Sequence, residues 1–176
     1  MPLSGEYEPS PHDWVRNQVA LYERTGGREG NVQNPTGLPI VIVTMRGKAS
    51  GKLRKVPLMR VEHDGDYALV GSKGGADTDP VWVENLVADP QITVQDGPEP
   101  MDMTVHLATG EERATWWRRA VEAFPNYAQY EHRTSREIPV FIASATPRGR
   151  RPTARMPVRH TGDEGSSPSD HTQHRP

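Results

Sequence analysis

Apolar residues in this chain gather in short, mostly β-branched runs, and Gly, Pro and Asp separate the runs. Ser10-Pro11-His12-Asp13 predicts a helix start, with Ser10 as cap and Pro11 at the first helical position. Trp14, Val15, Val19, Leu21 and Tyr22 then fall mostly on one face, and Gly26-Gly27 closes the helix. After a loop over 28–37, the run from Pro39 to Met45 is nearly all apolar and predicts a strand buried on both faces. Val56 to Glu62 and Tyr67 to Ser72 read as a hairpin across His63-Asp64-Gly65-Asp66, where Asp-Gly is the turn signal. Asp79 is expected to cap a short helix that Asp89-Pro90 ends. Ile92 to Gln95 and Met101 to Leu107 are two further strands. Thr109 and Glu112 form a capping-box pattern ahead of a helix with Ala114, Trp117, Val121 and Phe124 on one face. Pro125 stops that helix, and a short turn over Asn126 to His132 places Tyr127 and Tyr130 on one side. Ile138 to Ser144 is the last apolar strand. About six strands without regular strand–helix alternation argue against a doubly wound parallel sheet. They predict a mainly β fold, a small antiparallel barrel with flanking helices.

Composition changes the picture at the C-terminal end. Pro147 to Pro176 holds five prolines and no aromatic residue, with Ala154, Met156 and Val158 as its apolar side chains. Such a segment buries too little surface to offset its ordering entropy, so a disordered tail is expected. The expected organisation is therefore an N-terminal helix and loop over 1–38, a barrel over 39–146 and the tail over 147–176. The net charge of −2 conceals six arginines against three acids in the tail and 15 basic against 20 acidic residues before it. An acidic body does not suit a nucleic-acid partner. The chain has no cysteine, which removes thiol chemistry. It has no signal-peptide pattern and no apolar run of membrane length, so a cytoplasmic protein is expected. The first helix is expected to pack on the body; a weak contact with a membrane surface, peripheral in character, is the alternative reading of its amphipathic pattern.

The chemistry concentrates between Gly47 and Gln95. Arg46, Lys48, Lys52, Arg54 and Lys55 place five cations within ten residues, around Gly47 and Gly51, and suit an anionic partner. A second glycine-rich turn, Gly71-Ser72-Lys73-Gly74-Gly75, lets the backbone come close to a ligand. The first turn is not a phosphate-binding P-loop, because the glycines are too close and Leu53 follows Lys52. There is no Gly-x-Gly-x-x-Gly, Ser72 is not set in a nucleophile elbow, and the histidines form no metal pair at useful spacing. The basic turn alone reads more readily as a solvated loop than as a phosphate site, and the second turn alone is the weaker signal. Together, with Trp82 and Asn85 on the helix just after them, they point to a cofactor pocket, and redox chemistry would come from that cofactor.

The ordered set of motifs resembles the deazaflavin-dependent nitroreductases. Gly-Lys-Ala-Ser-Gly-Lys-Leu-Arg-Lys-Val-Pro-Leu at 47–58 carries the likeness, with Gly71 to Ala76, Pro80 to Leu86, Ala88-Asp89-Pro90, Pro125 to Tyr130, and Arg136-Glu137-Ile138-Pro139. The resemblance covers roughly 14–142. It implies a split β-barrel, similar to the flavin-binding pyridoxamine-oxidase barrels. It also implies coenzyme F420, a deazaflavin with a phosphate and a polyglutamate tail, as donor of hydride to a small quinone-like or nitroaromatic acceptor. Cofactor contacts are implied at Lys48, Ala49, Ser50, Arg54, Lys55, Val56, Pro57, Leu58 and Met59. Further contacts are implied at Val70, Gly71, Ser72, Lys73, Val81, Trp82, Val83, Glu84, Asn85 and Tyr127. Ser72, Tyr127 and Tyr130 are the residues expected to orient the acceptor or relay a proton. The family differs from this chain at Ala49, where many members are basic, at Val83, where several are aromatic, and at Phe124, where some have a third tyrosine. An FMN-dependent reductase on the same barrel and a non-catalytic F420 carrier are the alternatives.

Overall fold

A computed structural model describes residues 3–146, and the expected disordered tail lies outside the described residues. In chain order the elements are α1 (Asp13–Thr25), β1 (Val32–Gln33), β2 (Leu38–Arg46), β3 (Leu53–Met59), β4 (Glu62–His63) and β5 (Asp66–Val70). A 3-10 turn (Lys73–Gly75) follows, then α2 (Val81–Ala88), β6 (Gln91–Gln95), β7 (Pro100–Leu107), α3 (Gly110–Ala123), α4 (Asn126–Arg133) and β8 (Val140–Ala145). All the strand pairs are antiparallel. The sheet runs β1-β2-β6-β7-β8-β5-β4, and β3 pairs with β2. β3 and β5 approach one another without forming a ladder, so the barrel is split along that seam.

The burial pattern explains why β2 is apolar throughout. Val41, Val43 and Met45 point into the barrel, where they meet Leu69, Val94, Met103 and Phe141, and α2 plugs one end with Trp82, Val83 and Leu86. Ile40 and Ile42 point the other way and pack under Val15, Val19 and Tyr22 of α1. Each such fully buried side chain is worth roughly 1.5–3 kcal/mol of transfer free energy. The packed reading of α1 therefore holds, although Trp14 is 66% exposed. A third cluster joins the outer faces of β5 and β8 (Ala68, Val70, Val140, Ile142) to Trp116, Ala120, Phe124 and Tyr127. No described helix is long and apolar enough to cross a membrane.

Several local expectations are corrected. The strand expected over 56–62 is two strands with different partners. Leu53 to Met59 pairs with β2, from Arg46↔Leu53 to Ile40↔Met59, while Glu62–His63 forms the hairpin with β5. Strand-like sequence does not name its partner, and Arg54 and Lys55, expected in a loop, sit within the ladder. Three expected caps are absent. α1 begins at Asp13 with Ser10 Oγ accepting from the His12 N–H at 3.1 Å. Asp79 accepts from Arg136 rather than capping α2, and Glu112 contacts His106 at 2.9 Å rather than closing a capping box. The buried residues of α3 are Trp116 and Ala120, one residue back from the expected Trp117 and Val121, which are partly buried; Phe124, just after the helix, is buried as expected, and Ala114 is exposed.

Candidate functional site

Two adjoining cavities lie at the split side of the barrel. One, of about 470 Å³, lies among β3, the turn after β5, α1 and α4. Its walls include Val56, Pro57, Leu58, Met59, Val70, Ser72, Lys73, Trp82, Phe124, Tyr127 and Tyr130. The other, of about 480 Å³, is bounded by the Gly47–Lys52 turn, with Lys48, Ala49, Ser50, Arg54, Val81 and Asn85 on its walls. Ser10, His12, Val56 and Trp82 border both, so the two cavities adjoin.

The first turn is held by backbone bonds and three side chains, one of them its own Ser50, whose Oγ accepts from the Lys52 N–H at 3.1 Å. Gly47 N–H donates to Lys52 O at 2.7 Å and Gly51 N–H to Gly47 O at 2.9 Å. Gly51 has φ +72°, a left-handed conformation that costs glycine little. Asn85, buried on α2, accepts from the Lys48 N–H at 2.9 Å, and Arg46 donates to Gly51 O at 2.9 Å. The five cations are thereby separated in role. Arg46 is a brace. Arg54 pairs with Glu8 at 3.1 Å, and Lys52 lies 3.8 Å from Glu6. Lys55 points across the sheet, paired with Glu23 and lying over the Tyr7 ring at 4.7 Å. Lys48 is exposed and has no ion pair among the described residues.

The second turn is held by backbone bonds, from Gly71 N–H to Pro139 O at 2.9 Å, Gly75 N–H to Ser72 O at 2.9 Å and Ala76 N–H to Lys73 O at 3.1 Å, and by one bracing side chain. Arg136 donates to Gly71 O (3.2 Å), Ser72 O (2.8 Å), Ala76 O (2.7 Å) and Asp79 Oδ1 (2.7 Å). A Cβ on Gly71 would lie 2.8 Å from Pro139 Cγ, so only glycine lets β5 run on against Pro139. Gly75 has φ +83° and fits against the Tyr130 backbone, where a Cβ would lie 3.0 Å from Tyr130 O. Ser72 is thereby fixed beside α4. The aromatic rings of α4 and its approach form one group: Phe124 to Tyr127 at 4.9 Å and Tyr127 to Tyr130 at 6.2 Å between centroids. Burial, and secondarily Tyr130, pushes the Tyr127 phenol well above its usual range, so it keeps its proton at neutral pH.

Most of the residues expected from the sequence are therefore brought together. Lys55, Gly71, Val83 and Glu84 are not on the walls of either cavity: Lys55 faces Glu23, Gly71 backs onto Pro139, Val83 is barrel core and Glu84 is exposed. Among the residues missed are Ser10, His12, Trp14, Val15, Gln18 and Gln33 on the wall of the first cavity, Glu8 on the wall of the second, and Arg136 behind the turn. Ser10-Pro11-His12 signalled only a helix start. Arg136 stood in the Arg-Glu-Ile-Pro run, with nothing in the sequence to indicate what it would hold.

The fold is thus a split barrel with a largely apolar cavity beside one that carries Lys48 and Arg54. The chain belongs to the F420H(2)-dependent quinone reductase family, whose model matches residues 14–145. An F420H(2)-dependent quinone reductase of Mycobacterium tuberculosis (strain H37Rv) is 31% identical over 131 residues, covering 73% of this chain and 87% of the relative. Among solved structures, an F420-H2 dependent reductase (FDR-A) is 52% identical, covers 60% of this chain and 94% of its own, and superposes with a TM-score of 0.58. A second structure, described as a domain-swapped dimer, is 47% identical, covers 77% of this chain and all of its own, and has a TM-score of 0.61. Coenzyme F420 is the cofactor of this family, and the residues present fit it. Val56, Leu58, Val70 and Trp82 offer apolar surface for a ring, and Lys48, Arg54 and the glycine turn offer donors for anionic groups.

Proposed function

We propose that this chain binds reduced coenzyme F420 across the two cavities and reduces a small quinone-like or nitroaromatic acceptor held against Ser72, Tyr127 and Tyr130. The observation that carries this reading is that the two cavities adjoin, sharing Ser10, His12, Val56 and Trp82 on their walls. When bound, the reduced cofactor supplies a hydride from its deazaflavin ring. In this reading Lys48 and Arg54 hold the anionic end, and Val56 to Met59 and Val70 to Lys73 line the ring. Trp82 closes the barrel side and keeps water out. Reduction places negative charge on the acceptor oxygen, and a hydrogen-bond donor aimed there lowers the barrier. Tyr130 lines the cavity and is only partly buried, which suits it to that donation. Tyr127 is more deeply set, and its raised pKa keeps the hydroxyl a donor at neutral pH.

Fluorescence titration of the purified protein with F420, FMN and NADPH, followed by oxidation of reduced F420 with a soluble quinone and a nitroaromatic compound, tests the reading. Micromolar or tighter binding of F420, about 8 kcal/mol or more of binding free energy, with turnover of one acceptor class, is expected. Equal or tighter FMN binding would favour a flavin reductase on the same barrel. F420 binding without turnover would make the chain a carrier.

A further inference from the structure

We propose that Glu8 is a specificity-determining residue of the cationic cavity: its carboxylate competes with the anionic end of the ligand for Arg54, and so limits the negative charge the cavity accepts. The inference rests on reading that cavity as the site of the cofactor's anionic tail.

The segment before α1 lies as a strap along the start of β3. Leu53 N–H donates to Glu6 O at 2.8 Å and Glu8 N–H to Leu53 O at 2.9 Å, with Tyr7 bridging Leu53 in parallel. Arg46 anchors the strap further back by donating to Ser4 O at 2.9 Å. Side chains alternate along both strands, so Lys52 and Arg54 share one side of β3 while Leu53 is buried on the other. Glu6 and Glu8 carry the same spacing, which sets Glu6 near Lys52 (3.8 Å) and Glu8 against Arg54 (3.1 Å). Two acids thus meet two cations in register.

The two pairs differ in place. Glu8 and Arg54 both border the 480 Å³ cavity, whereas Glu6 and Lys52 do not. Glu8 is the lone carboxylate on a wall whose permanent cations are Lys48 and Arg54. An anion that reaches Arg54 must displace or share the guanidinium with Glu8. The Glu8 and Arg54 side chains are 41% and 31% exposed, and pairs this open contribute little to stability. Exchange of Glu8 for a ligand anion therefore costs little, but each further negative charge on the ligand meets a fixed carboxylate at short range. Glu6 provides an internal control, with the same strap and charge but no place on the cavity.

The experiment compares wild type, Glu8→Gln and Glu6→Gln in fluorescence titrations with F420 and with the same deazaflavin lacking its phosphate and glutamates. Melting curves confirm that each variant folds as wild type does. Glu8→Gln is expected to tighten F420 binding three- to tenfold, most strongly for longer glutamate tails, and to leave the tail-less ring within twofold. The gain should shrink as salt rises. Glu6→Gln should change F420 affinity less than twofold. Weaker F420 binding in Glu8→Gln would mean that Glu8 orients Arg54 for the ligand, and an equal gain for the tail-less ring would mean a packing effect; either overturns the proposal. Failure of the wild type to bind F420 at all would overturn the cofactor reading, and this proposal with it.

Discussion

The two glycine-bearing turns that frame the cavities both close on their own backbone, but they differ in burial and in how many side-chain bonds brace them. The Gly47–Lys52 turn closes on its own backbone and leaves Lys48, Ala49 and Ser50 exposed. Its neighbouring cations find partners on a surface strap that can exchange them. The turn after β5 buries Ser72 and Gly75, and Arg136, only 15% exposed, donates to three of its carbonyls and to Asp79 beyond it. One end of the site is thus open and electrostatic, and the other is preorganised. A charged tail tolerates loose partners, whereas a reacting acceptor needs donors at set positions.

The largest effect should come from removing the brace of the preorganised turn. Arg136→Ala removes the donor to Gly71 O, Ala76 O and Asp79, leaves Ser72 O with the Gly75 N–H alone, and should cost about 3 kcal/mol of stability. A single ammonium cannot reproduce the planar fork, so Arg136→Lys should recover only a part. Urea unfolding reads both; a loss under about 1 kcal/mol would show that water replaces the guanidinium and that the turn is not preorganised by it.

Next in size are the tyrosines. Tyr130→Phe is expected to lower turnover well over tenfold, on the order of 2–3 kcal/mol, with F420 affinity little changed. Tyr127→Phe should disturb both rate and affinity, because Tyr127 is packed into the wall. Steady-state rates measured beside dissociation constants separate the two, and wild-type rates in both variants would leave the rings as packing.

Gly75→Ala tests the same turn by sterics. At φ +83° and with Tyr130 O 3.0 Å away, an added Cβ should cost about 1–3 kcal/mol and lower turnover through displaced Ser72. A variant as stable and active as wild type would show that the turn can move away from α4.

The smallest effects belong to the open end. Arg54→Ala should weaken F420 by roughly 1–2 kcal/mol, in a salt-dependent manner, whereas Lys55→Ala should change affinity by less than about 0.5 kcal/mol because Lys55 faces Glu23. Equal losses in the two titrations would mean that the cavity draws on both cations and that the division of the basic cluster is wrong.

Sequence reading succeeded where the cause was local. The Asp64-Gly65 hairpin, with φ of +53° and +85°, follows from turn chemistry that L-residues rarely tolerate elsewhere. The αL glycine after α1 and the ends of α2 and α3 at Asp89-Pro90 and before Pro125 are equally local. The β2 run was legible because a strand with both faces buried has no polar alternation. Where two adjacent residues competed, as Trp116 and Trp117 do on α3, pattern alone chose the less buried of the two, since only the packing partner distinguishes them.

Chain pattern alone thus determined the presence of most strands and helices, the basic and glycine-rich turns, and the family that those motifs mark. Tertiary structure decided the rest. It gave β3 to β2 rather than to β5, sent Lys55 away from Arg54, and brought Ser10 and His12 to the rim of both cavities. It also carried Arg136 across 65 positions to Gly71 and Asn85 across 37 to Lys48. Propensity, capping and turn preference act over a few residues and can be read locally. Strand partnership and the destination of a long polar side chain are set by contacts between distant segments, whose energies exist only once the barrel has closed.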